Sequence, residues 1–561
     1  MSAAESADPG IESALWDDWH VLAELAQLQR LGRLDTRLLN VPVTLEIDAA
    51  SGAIRAHAER SIGRGNPGVL PGRRPVAAVE IRYGFVWVCL GESRRPIVAF
   101  AECLEADRLV ATAGSVRVAV SGMRAVENFL DLSHLAFVHA GFLGEEPHTE
   151  IGPYTVALLA DGGVMANGCR VYQPKPSPVD SHGFDVDYVY AVLRPLIVVL
   201  YKANPVEQAR KDMIALFVQP VDEQTCVAHI LTCYLPHAVH PPSVRRFQQF
   251  IFGQDRPILE NQIPKRLPLD ARAEFSVRAD LSSAAYRRWL ATVGVRFGVV
   301  AADGTAPHPA PHPAPWPATA RSRWFPVARS EEVVLRHVVQ TQLLGHEIAL
   351  WRDDAGTVNA WENRCPHRGV RLSLGINTGT ELRCRYHGWR FASGSGQCTF
   401  IPAHPQQKPA RAMRAGVFGA ALHDGYVWVS LEPETDAPIL PPAAGDATTL
   451  RSIFVDAPAA AVAAVLLRGY CLETPTGAAT ETASATPVTA EDAYAYVATN
   501  AGVTLRFLLQ PLTASQTVIH ALLQPAVAAG GRRALLRRHN EQMSALRDQA
   551  ERLCAGAARV L

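Results

Sequence analysis

Four residues between Trp361 and Trp389 have the types and the spacing to hold an iron–sulfur centre. Cys365 and His367 form a C-x-H pair, sixteen residues intervene, and Cys384 and His387 form a C-x-x-H pair. Two thiolates and two imidazoles on two loops suit a [2Fe–2S] cluster with both sulfurs on one iron and both imidazoles on the other. Each loop then serves both irons. Each imidazole ligates through one ring nitrogen and leaves the other free to carry a proton. A Cys₂His₂ zinc site usually groups like ligands, C-x₂₋₄-C before H-x₃₋₅-H. Here unlike ligands sit together, which argues against zinc. A glycine follows each pair, Gly369 and Gly388.

The runs CPHRG and CRYHGW resemble those of the Rieske non-haem iron oxygenases. Respiratory-chain Rieske proteins carry an extra cysteine in each loop, forming a disulfide. Val370 and Tyr386 stand at those positions. The resemblance is therefore to the oxygenase and ferredoxin branch.

A second constellation lies in ENFLDLSHLAFVHAGFLG, where Asn128, Asp131, His134 and His139 give N-x₂-D-x₂-H-x₄-H. Asp131 and His134 are i and i+3 and are expected on one helix face. His134 and His139 are five apart, which on a regular helix turns them roughly 140° from each other. To bind one metal, the helix has to bulge or end between them. Taken singly, these residues read as satisfied core or surface groups. The segment resembles the catalytic domain of the same oxygenases. That resemblance implies that His134 and His139 ligate a mononuclear iron. It implies that Asp131, with Asn128 the other candidate catalytic residue, links His134 to a cluster-ligating His across a domain contact. A facial triad needs one carboxylate beside two His. The family takes it from a later helix with Q-D-x₄-E-x-Q; GQDRPILENQ fits and offers Asp255, followed by Glu260 and Gln262.

At 561 residues the chain is too long for one core. Lys+Arg and Asp+Glu are both 54, so no net charge marks it for nucleic acid or an anionic membrane. The acidic start lacks a basic n-region and an apolar h-region, so no signal peptide is expected. YAVLRPLIVVLY is short and holds Arg194, so it reads as a buried strand rather than a membrane span. Beyond the two cluster candidates, the Cys are scattered without paired spacing, which suits a reduced, cytoplasmic protein.

An internal repeat organises the whole. LLNVPVTLEIDAASGAIRAHAERSIGRG from Leu38 parallels LLGHEIALWRDDAGTVNAWENRCPHRG from Leu343. Ser61 then falls on Cys365 and Gly63 on His367. The jump to IRYGFVWVCLGE is thirty-seven residues shorter than the jump to LHDGYVWVSLEP, so the second ligand pair has no counterpart. Near the end, TLRFLLQPLTASQTVIHALL parallels MIALFVQPVDEQTCVAHIL, placing Gln510-Pro511 on Gln219-Pro220 and His520 on His229. Gln542 takes the place of Asp255, and no His lies between Leu450 and Val518.

The expected fold class is α+β, with Rieske-type antiparallel β domains and helix-grip-like catalytic domains in two tandem copies. The expected domains are a degenerate Rieske-like domain at 1–108, a catalytic domain with mononuclear iron at 109–300, and a Pro/Ala linker at 301–319. An intact Rieske domain at 320–436 and a degenerate catalytic-like domain at 450–561 follow. Linker residues His308 and His312 read as solvated.

By the resemblance, the chain is the oxygenase component of a Rieske mono- or dioxygenase, with one [2Fe–2S] cluster and one mononuclear Fe(II). It hydroxylates or O-/N-dealkylates an aromatic or other apolar organic with O₂. A separate NAD(P)H-dependent flavin/iron–sulfur reductase or ferredoxin supplies electrons, since no G-x-G-x-x-G follows a strand. The family forms rings, so a homo-oligomer, a trimer or stacked trimers, is expected. A second reading is an electron-transfer protein whose first half is a docking scaffold.

Overall fold

The computed structural model describes residues 11–48, 51–60, 72–76, 78–93, 95–159, 162–174, 183–204, 207, 210–235, 241–301, 316–433, 447–470, 472, 486–500, 502–524 and 529–557. Ser61, Gly63, His308 and His312 lie outside the described residues.

A run too apolar for one-sided burial builds the centre. Met213, Ala215 and Phe217 point to one side of the Lys211–Asp222 strand; Ile214, Leu216 and Val218 point to the other. Both sides are covered, which is why the strand reads as a continuous apolar stretch. It sits in a seven-stranded antiparallel sheet. The spatial order is Leu109–Val118, Thr225–Tyr234, Lys211–Asp222, Ile197–Ala203, Phe184–Arg194, Val164–Gln173, Thr155–Leu158. Helices Gly122–Phe129, Pro241–Leu259 and Leu281–Thr292 cover one face and share its core. The first small β domain covers the other, with Phe85 and Trp87 against Phe217. The fold is α+β with mostly antiparallel sheets, as expected.

The same arrangement recurs downstream. A six-stranded sheet spanning Phe325–Ser430 presents Tyr426 and Trp428 to Leu508 and Leu522 of the C-terminal sheet. Matching hairpins close both small domains: Leu39-Asn40 and Leu344-Gly345 have positive φ, as do Tyr83-Gly84 and Asp424-Gly425. Paired positive φ is the type I′ geometry that fits strand twist. Leu39 and Leu344 are unusual residues there. Each is held by its amide, donating to Pro220 O at 2.7 Å and to Pro511 O at 2.8 Å.

The side chains repeat too. Gln219 Nε2 donates to Thr36 Oγ1 and Arg37 O, and its Oε1 meets His229 Nε2 at 3.2 Å. Gln510 does the same with Thr341 Oγ1, Gln342 O and His520 Nε2. Ser115 and Ser452 each reach the remaining ring nitrogen at 2.7 Å. Burial holds both imidazoles down to about 3, so they stay neutral and structural.

One contact has no counterpart in this repeat among the described residues. Residues 261–280 wrap around the first ligand loop of the Phe325–Ser430 domain. Ile263 N donates to Gly369 O, Phe275 N to Pro366 O, and Arg371 N to Asn261 O. Beneath them lies a buried charge cluster. Glu274, whose side chain has no exposed surface, accepts from Arg124 at 2.6 Å and Arg287 at 2.5 Å, with Arg364 and Arg368 within 4 Å. Burial alone raises the Glu274 carboxyl; the Arg124 and Arg287 charges outweigh it and hold it well below the usual range. Such a carboxylate stabilises the fold above its unfolded value of about 4.3 and stops doing so only as pH falls through its lower folded value. Glu274→Ala strands several buried cations and is expected to lower stability by about 3 kcal/mol or more. Chemical denaturation checks this, and the loss should be flat between pH 6 and 8.

Candidate metal centres and their contact

Ser121 starts the helix that leads to the first centre, its Oγ accepting from Arg124 N. The helix ends at Phe129, before Asp131. The expectation that Asp131 and His134 share a helix face is therefore not met. Asp131 sits in a turn, where its Oδ1 accepts from Ser133 N at 2.7 Å. A single helical turn, Leu135–Val138, follows, with His134 at its N-cap and His139 at its C-cap. Flanking one short turn, rather than riding a continuous helix, is what lets imidazoles five apart converge.

They converge on Asp255, from the inner side of the Pro241–Leu259 helix. His134 Nε2 is 3.4 Å and His139 Nε2 3.1 Å from Asp255 Oδ1. One ligand atom from each of the three buried residues lies within 4.8 Å of the others. Burial raises the Asp255 carboxyl, but the neighbouring His139 and His134 outweigh it and leave it strongly depressed. His139 Nδ1 is fixed by Gln254 Oε1 at 2.9 Å, an outer contact that sets the ring. Two imidazoles and one carboxylate facing one point fit a 2-His-1-carboxylate iron.

The second centre is just as closed. Cys365, His367, Cys384 and His387 are all buried, and the two thiols are within hydrogen-bonding reach of each other. The His367 and His387 rings are 4.4 Å apart, and Trp389 stacks on His367 at 4.3 Å. His367 Nδ1 is buried with no hydrogen-bond partner. An orphaned ring nitrogen beside two thiols fits a cluster that uses it as a ligand. The outward nitrogens are taken by carboxylates. His367 Nε2 meets Asp280 Oδ2 at 3.0 Å, and His387 Nε2 meets Asp131 Oδ2.

Asp131 therefore stands between the two centres. Its Oδ2 contacts His387 and lies 4.0 Å from His134 Nδ1. Burial raises its carboxyl, but His387 outweighs burial and brings it down to about 2. A second bridge runs beside it: Asn128 Nδ2 donates to Tyr386 Oη at 3.0 Å and to Asp255 Oδ1 at 3.4 Å. Both bridges are within one chain.

The two loop glycines allow this approach. Gly369 and Gly388 have φ of 71° and 67°. A Cβ at Gly369 would stand 2.3 Å from Ile263 O, and one at Gly388 2.4 Å from the Phe137 ring. A side chain at either place would be strained by the positive φ and would force its neighbour to shift.

All nine expected site residues thus fall into two adjoining groups. Sequence reasoning missed three others: Gln254, Asp280 and Tyr386. Gln254 had a signal, as the Gln of the Q-D pattern. Asp280 had none, because its partner is 87 residues away.

Residues 323–414 match the family model of the Rieske [2Fe-2S] domain, and residues 121–296 that of the vanillate O-demethylase oxygenase C-terminal domain. The chain is 42% identical over 283 residues to the probable methylxanthine N7-demethylase NdmC of Pseudomonas sp. (strain TJI-51), covering 50% of this chain and 95% of that one. It is 41% identical over 208 residues to the oxidoreductase NdmD of Pseudomonas putida, covering 36% of this chain and 35% of that one. The structure of Pseudomonas putida CBB5 NdmA with caffeine aligns with 50% of this chain and 91% of its own, with a TM-score of 0.41 and 19% identity.

Proposed function

Because the chain belongs to the Rieske non-haem iron oxygenases, we propose that it demethylates an N-methylated heteroaromatic ring, and that both metal centres serve this reaction within one chain. The substrate class rests on the similarity to a methylxanthine demethylase. The intrachain pairing rests on one observation: Asp131 Oδ2 lies between His387 of one ligand set and His134 of the other.

In this reading Cys365, His367, Cys384 and His387 hold the cluster, and His134, His139 and Asp255 hold the iron. When bound, the cluster supplies single electrons and the iron activates O₂. The overall change balances as N–CH₃ plus O₂, two electrons and two protons giving N–H, formaldehyde and water. A separate reductase drawing on NAD(P)H supplies the electrons, in keeping with the similarity to an oxidoreductase.

Asp131 orients His387 and His134 toward each other. Asn128 and Tyr386 hold Asp255 in register with the cluster loop. Asp280 fixes His367 and, with the 261–280 strap, keeps water from the first ligand loop. The five-segment division at 1–108, 109–300, 301–319, 320–436 and 450–561 belongs to this reading, as does an origin by duplication with complementary losses. The twin Gln219–His229 and Gln510–His520 networks support it. With the pairing inside one chain, no neighbouring subunit is needed to complete it. No helix among the described residues is long and apolar enough to cross a membrane.

The test is metal content together with turnover. Purified protein is expected to hold roughly three Fe per chain and, with a reductase and NADH, to release formaldehyde from caffeine or 7-methylxanthine. Two Fe per chain and no formaldehyde would return the chain to the electron-carrier reading.

A further inference from the structure

The inner face of the catalytic sheet carries a buried polar group that neither centre uses. Gln173 ends the Val164–Gln173 strand and has 0% of its surface exposed. One end of its amide bonds the Tyr188 hydroxyl; the other, Oε1, has no partner. Oxygen and nitrogen of an amide are assigned from such contacts, so the end left over is one acceptor or one donor. Either is costly to bury alone.

Its surroundings lead to the iron ligands. Tyr188 meets Tyr190 edge-to-face at 5.7 Å, and Tyr190 meets Phe129 at 6.0 Å. Phe129 adjoins Asn128. Burial pushes the Tyr190 phenol well up, so the ring stays neutral. Elsewhere on this sheet, Gln248 of the Pro241–Leu259 helix bonds Tyr234. Gln248 is two turns before Asp255 on the same buried side, roughly 10 Å along the axis. A file of aromatic rings, Tyr188, Tyr190 and Phe129, thus leads from an unmatched amide toward Asn128, which bonds the iron-ligand candidate Asp255.

We propose that Gln173 is the polar anchor of the substrate, hydrogen-bonding the ring lactam edge (N–H or C=O) of a planar heteroaromatic that lies against Tyr188 and Tyr190. The inference deepens the demethylase reading and rests on it for the substrate class. A lactam carries both a donor and an acceptor, so it satisfies Gln173 whichever way the amide is turned. A site built around such a group discriminates strongly against rings that cannot fill it.

The test is binding without turnover. Holoprotein is titrated with 7-methylxanthine under nitrogen by calorimetry, and Gln173→Leu is compared with wild type. The expected result is a Kd raised about tenfold or more, with iron content and unfolding midpoint retained. If Leu costs iron or stability, Gln173→Met, closer in volume, takes its place. Equal Kd values, or no binding by wild type, overturn the anchor. Failure of wild type to release formaldehyde from any methylxanthine, with binding and its loss as expected, overturns the demethylation reading and leaves the anchor standing.

Discussion

Asp131→Asn is expected to cut turnover about 100-fold or more while leaving both centres loaded, the scale seen when one preorganised charged partner is removed from a buried site. The carboxylate ligates neither metal in the proposed assignment. Its Oδ1 is committed to the Ser133 amide, and only Oδ2 faces His387 and His134. Asn keeps the shape and can keep the turn. It loses the negative charge that both imidazoles face, and it has to choose between a donor and an acceptor end. Metal content and the reduced-cluster spectrum should match wild type, and only the rate should fall. Unchanged turnover would remove Asp131 from its bridging role. Loss of either metal would make it structural instead.

Asp255→Ala should act differently, at the metal itself. Among the described residues, Asp255 is the carboxylate that both His134 and His139 face, and it also anchors Asn128. Without it, two imidazoles remain in a buried site with no anionic ligand. Iron is expected to fall from roughly three to roughly two per chain, with the cluster spectrum intact and formaldehyde release lost. Retention of the third iron would move the carboxylate ligand elsewhere.

The contrast between these two residues shows what a linear chain reveals. The cluster ligands come as two local pairs, and His134 and His139 lie within one short run, so their chemistry is visible from spacing. The α+β class followed from the family resemblance that those runs carry, not from any local pattern. The twin hairpins were visible as parallel runs, although one bulky residue in each, Leu39 and Leu344, carries no turn signal. The helix break was not placed correctly. Spacing required a break between the two His, whereas the main helix ends earlier, at Phe129, and a single turn separates the ligands. The 261–280 strap and the Glu274 cluster could not be read at all. Their partners lie across the domain contact, as with Arg124 and Glu274, which are 150 residues apart. Neither end carries a pattern that names the other. Asp280 is of the same kind: an ordinary carboxylate until the fold brings His367 to it.

The claim on which the account turns is that one chain completes its own pair of centres. Mixing two inactive variants tests it. Asp255→Ala lacks the iron ligand and Cys384→Ser lacks a cluster ligand. The two are co-expressed with different tags, purified through both tags where they associate, and assayed for formaldehyde release. Because Asp131 meets His387 within the same chain, the mixture is expected to stay as inactive as either variant alone, and wild-type activity per chain should hold on dilution. Recovery of a quarter or more of wild-type activity in the mixed preparation would show that the cluster of one chain serves the iron of another, and would contradict the account.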